Sequence, residues 1–172
     1  MLHESELENN LKITDANMTF ESVLKKEYVP QKYLDDIKKA NVLLIPNEGF
    51  RDIQGYFFPE CTSEFYMFLK NQEGIKTEIC IDDENFKKIE LHADIVYVAT
   101  IIIQYAVLPI VTSMVAAYLY DKVKSMNKER KDTNADIHII VEKNGKSKKI
   151  DYQGNVDNFE KAMKTVDETI FK

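Results

Sequence analysis

Between Ile95 and Tyr120 the chain runs for 26 residues without one charged side chain, and that stretch limits every fold open to it. A helix needs ~20 apolar residues to cross the hydrocarbon region, so length alone admits a single-pass anchor. Tyr97, Tyr118 and Tyr120 would then sit in aromatic belts, with Lys122, Lys124, Lys128, Arg130 and Lys131 on the cytoplasmic flank of an inner membrane. That orientation would export the polar residues ahead of the run, and no signal peptide is visible to carry them. The internal pattern favours a buried core instead. Residues 95–98 are β-branched and aromatic and read as a buried strand. Pro109 falls where a new helix would begin, at a position that tolerates its missing N–H. From there Ile110, Val111, Met114, Val115, Tyr118 and Leu119 share one side at helical spacing. A helix over 109–124 is too short to span a bilayer.

A hydrophobic fraction of 44% is ordinary for a globular chain, and a net charge of −6 works against general nucleic-acid binding. The one basic stretch, Lys122 to Lys131, carries Asp121 and Glu129 at and within its bounds and reads as a solvated helix end and linker. Cys61 and Cys80 show neither metal-ligand nor secreted-framework spacing, which favours a reducing cytoplasm.

Read in order, residues 1–40 are polar and weakly periodic, an N-terminal helical arm in which Leu7 and Leu11 lie four apart. Residues 41–46 form a compact apolar strand, and 47–58 an aromatic loop. Thr62, Ser63 and Glu64 offer cap chemistry for a helix ending near Asn71. Residues 76–81 read as a second strand, and Asp82 to Asn85 as the cap of a short helix through about Leu91 carrying Phe86 and Ile89. With the strand from Asp94, this alternation predicts an α/β fold: a small parallel sheet of three strands flanked by helices. The core spans 41–125, with the apolar helix at 109–125, and a polar linker covers 126–135. Residues 136–172 then form a β-hairpin plus helix. Asn144-Gly145 is its turn, because both residues tolerate positive φ, and Asp157 with Glu160 fits a capping box for a helix striped by Val156, Phe159, Met163, Val166 and Ile170.

An apolar helix with a charged tail (LPIVTSMVAAYLYDKVK), a polar linker, a hairpin (IHIIVEKNGKSKKIDYQG) and an amphipathic helix (VDNFEKAMKTV) follow one another over about residues 105–170. That order resembles the effector-associated constant components of bacterial conflict systems. The resemblance implies a small non-enzymatic module that couples sensor and effector proteins in antiviral defence.

Two chemistries compete for the site. Glu48 follows the first predicted strand and Asp82 with Asp83 the second. If those strands are neighbours, three carboxylates converge at strand ends, where Mg²⁺ could bind and support phosphotransfer or hydrolysis. The arrangement resembles the acidic cluster of toprim-type domains. Capping of the next helix accounts for Asp82 and Asp83 equally. Cys61 precedes a helix, with only His3, His92 and His138 in the chain to serve as bases. No phosphate-binding loop or serine elbow is present. The other chemistry is recognition. Phe50, Arg51, Tyr56, Phe57 and Phe58 are residue types enriched at binding hot spots, unless the rings close over the sheet edge as core. Ser113, Ala116 and Ala117 form a small-residue side that a second helix, from the same chain or from a second copy, could approach. The expectation is a non-enzymatic, cofactor-free interaction component with a protein partner or a second copy of itself, ahead of a Mg²⁺ enzyme and of a membrane-anchored protein.

Overall fold

The computed structural model describes residues 10–91 and 94–171, and His3, Leu7 and His92 lie outside them. Among the described residues, ten strands and five α-helices follow one another: β1 Leu11–Ala16, α1 Phe20–Leu24, α2 Leu34–Lys39, β2 Val42–Ile45, β3 Asn47–Phe50, β4 Ile53–Pro59, α3 Thr62–Lys70, β5 Thr77–Ile79, β6 Lys87–Ile89, β7 Ile95–Tyr97, β8 Thr100–Gln104, α4 Leu108–Ser125, β9 Asn134–Lys143, β10 Lys146–Asn155 and α5 Phe159–Thr169. The chain is a mixed α/β protein with two sheets.

The larger sheet has the order β1-β10-β9-β8-β2-β5, with β7 also on β9. It differs from a three-stranded parallel sheet. The first two expected strands, β2 and β5, are parallel neighbours, but β8 enters antiparallel to β2. The physical cause is the connection from β5. Instead of a crossover helix, the chain takes a detour through β6, which pairs with β4 in the smaller sheet β3-β4-β6. The expected helix through Leu91 is therefore a strand. Asp82 does accept the Asn85 N–H at 2.8 Å, as a cap would, but the turn ends there. Phe86 stacks on Phe58 with centroids 5.2 Å apart, and the next residues join β4. Residues 47–58, expected as loop, form the β3–β4 hairpin.

The uncharged stretch does switch from extended chain to helix near its proline. β7 and β8 run one after the other along β9, with one more residue on their side than on β9 between the two registers. That bulge lets Tyr97 share a sheet face with Asp136, while Ile101 and Ile103 face the same way as Ile139 and Val141. Pro109 occupies the first turn of α4. By length and composition this helix could cross a membrane. In the fold its residues Val111, Val115, Leu119 and Val123 are buried, and Tyr118 packs on Phe65 and Phe68 of α3 at 5.0 and 5.7 Å. The buried face is rotated from the expected one. Ile110 is 36% exposed and Met114 half-buried, whereas Thr112 and Ala116 point inward.

β9 and β10 form the hairpin expected around Asn144 and Gly145, whose φ values are 53° and 81°. Their apolar face (Ala135, Ile137, Ile139, Val141, Ile150, Tyr152) is buried, with Tyr152 edge-on to Phe159 of α5 at 5.3 Å. The turn into α5 is capped by Asn155, which accepts the Asp157 N–H at 2.9 Å, rather than by Asp157 itself. β1 adds to the free side of β10, so part of the N-terminal arm is strand. On the opposite sheet face Glu142 receives the backbone N–H of Phe20, which draws α1 over that face.

Candidate functional site

The aromatic segment divides into two groups. Phe57 and Phe58 are buried, and Phe58 is stacked on Phe86. Tyr56 is half-buried, edge-on to Tyr28 at 5.2 Å, and its hydroxyl donates to Glu27 at 3.2 Å. Tyr56 and Phe58 hold the small sheet against the rest of the fold. Phe50 and Arg51 instead lie at the hairpin tip. A register irregularity between Glu48 and Phe50, and positive φ at Gly49 and Arg51, bend the strand there. The Arg51 guanidinium sits 5.0 Å from the Phe50 ring centroid, a cation–π distance. Ile53, paired directly with Phe50, is 57% exposed. Sequence reading passed over Ile53, although its place one residue beyond Arg51-Asp52 is where a hairpin presents a side chain outward.

The three candidate metal acids have separate roles. Glu48 pairs with Lys26 at 3.3 Å, Asp82 caps its own turn and Asp83 is exposed. Among the described residues no group of three or more His, Cys, Asp or Glu side chains is placed to hold a metal ion. Cys80 is fully buried, and burial pushes its thiol up to about 12. Cys61 precedes α3 without capping it through its side chain, and Thr62 donates to the Pro59 carbonyl at 2.7 Å instead. On α4, which packs against α5 of the same chain, Ser113 and Ala117 are exposed, whereas Ala116 is buried at 2%.

The most concentrated charge chemistry lies on β9 and β10. His138 Nε2 is 2.8 Å from Asp136 Oδ1, and its Nδ1 contacts Asp151 Oδ1. The Asp136 contact has the geometry of an ion pair when the ring is protonated. Lys149 lies 3.6 Å from Asp151. The Asp136 carboxylate raises the His138 pKa above the ordinary imidazole value; burial opposes this, and Asp151 adds to it. Both ring nitrogens face carboxylates, an arrangement that favours the protonated form of the ring. The cluster pins β9 to β10 across the hairpin. The signal for it was in the sequence: His138 lies six residues before Asn144 and Asp151 six after Gly145, so the two-residue turn fixes them as cross-strand partners.

No family model, curated protein or solved structure matches the chain.

Proposed function

We infer that this protein is a non-enzymatic interaction component that docks a protein partner through the tip of the β3–β4 hairpin. The carrying observation is Ile53, 57% exposed beside the Phe50–Arg51 pair. An aliphatic side chain, an aromatic ring and a guanidinium stacked on it make the kind of cluster that anchors protein interfaces. Covering Ile53 would contribute roughly 1.5 kcal/mol, about tenfold in affinity. The order of apolar helix, hairpin and amphipathic helix over 105–170 supports a place in bacterial defence, as a coupler between sensor and effector proteins. Two unbridged cysteines, Cys61 and Cys80, fit a cytoplasmic setting.

The test is co-expression with the proteins encoded beside it, followed by affinity capture and light scattering. The expected result is a stable complex, or a dimer, weakened at least tenfold by Ile53→Asp and by Arg51→Ala. A protein that stays monomeric and captures none of those neighbours, or a complex indifferent to both substitutions, overturns the reading.

A further inference from the structure

A cavity of about 920 Å³ opens where the start of β9 meets the end of β10, bounded on one side by β7 and on the other by the first turn of α5. Its size lies in the range of small-ligand clefts, but its walls are unlike the apolar walls of most such sites. Ile95 and Ala135 are its only aliphatic side chains. Carboxamides dominate instead: Asn10, Asn134, Gln153, Asn155 and Asn158 all line it. Asn155 is committed to the turn before α5, accepting from the Asp157 N–H and donating to the Lys131 carbonyl. The other four side chains make no hydrogen bond among the described residues. Each brings one acceptor and two donors.

The lining also fixes what these groups are suited to receive. Lys131 and Lys161 share the lining with Asp136 and Asp157, which also lie against His138 and Arg130, so a phosphate would meet two carboxylates as well as two ammonium groups. One aromatic ring, Tyr97, faces the cavity, which is one platform rather than the pair that would sandwich a flat base. A sugar ring fits this combination. Its C–H face needs one aromatic surface. Its hydroxyls each donate and accept at the same atom, as carboxamides and a carboxylate together require. The bulge between β7 and β8 is what turns Tyr97 to the same face as Asp136, at the cavity wall.

We propose that this cavity binds a neutral oligosaccharide, with Tyr97 as the stacking platform and Asn134, Gln153 and Asp136 as the hydroxyl-reading groups. The site is separate from the hairpin tip and does not depend on it. The test is saturation-transfer NMR and calorimetry of the full chain against maltotriose, cellotriose, chitotriose, mannotriose and xylotriose, with inorganic phosphate and adenosine as comparison probes. At least one trisaccharide is expected to bind, with Tyr97→Phe retaining it and Tyr97→Ala abolishing it. Asn134→Ala and Gln153→Ala are each expected to weaken binding about tenfold. Both of those side chains are exposed, so their loss leaves folding intact and keeps the test valid should Tyr97→Ala misfold. Binding by none of the five sugars, binding that survives both carboxamide changes, or binding of phosphate or adenosine alone overturns the proposal.

Discussion

The Glu142 carboxylate accepts the backbone N–H of Phe20 at 3.1 Å, tying β9 to a segment 122 residues earlier in the chain. Its second oxygen accepts from Gln104 Nε2 at 3.2 Å, so a 9% exposed acid has both oxygens satisfied. Glu142→Ala leaves both donors facing a void and should cost about 1.5–3 kcal/mol. Glu142→Gln keeps the shape, and a flip of the Gln104 amide restores the second bond, so its cost should be about 1 kcal/mol. Urea denaturation gives both values, and hydrogen exchange at Phe20 should accelerate in the alanine variant.

The His138 clamp gives stability a pH dependence of definite sign. Its folded pKa is raised, so the native state holds a proton that the unfolded chain releases near pH 6.5. The stabilisation is complete below that value and disappears as pH rises through the folded pKa. Thermal unfolding should show Tm falling across that window. His138→Ala removes this fall and leaves Asp136 without its ion-pair partner, while Lys149 stays beside Asp151; below the window it should cost roughly 1–3 kcal/mol.

Gly145 tests backbone strain in isolation. Its φ is +81°, and a Cβ built there meets nothing within 4 Å. Gly145→Ala should therefore cost about 1 kcal/mol through conformation alone. Chemical denaturation should show that loss with an unchanged slope, because no contact or buried area differs.

Leu119 is fully buried on α4. Leu119→Ala should cost about 2–5 kcal/mol, the sum of lost transfer energy and the cavity left behind. Ile110→Ala on the same helix, starting from a 36% exposed side chain, should cost well under half as much by the same denaturation measurement.

The elements that sequence reading located best are those whose signal is local. Asn144-Gly145 dictates a hairpin through φ alone, and Pro109 marks a helix start through its missing N–H. Misread elements depended on distant partners. Residues 86–89 carry a helix-like cap and no strong period, and only pairing with Phe57 to Pro59 makes three of them a strand. β1 has two β-branched residues in a polar segment, and its identity comes from the open side of β10, far along the chain. The inward face of α4 is hard to identify because Leu108 to Tyr120 carries no charged residue, so little hydrophobic contrast marks it over most of the helix. At the candidate sites, the aromatic residue types drew attention to 50–58, yet which rings were spent on packing depended on Tyr28 and Phe86 from other segments. The carboxamide-lined cavity was invisible because its walls come from four separated parts of the chain.

The position of β9 in the sheet governs how the chain must be made. It sits between β8 and β10, yet its residues leave the ribosome after every other strand except β10. Until then β8 has one bare edge and β1 has nothing to pair with, so the nascent polypeptide carries apolar strands whose template has not been synthesised. Assembly of the sheet is consequently a late event dominated by long-range closure, slow by the standards of helical proteins of this size and dependent on protection from aggregation while translation finishes.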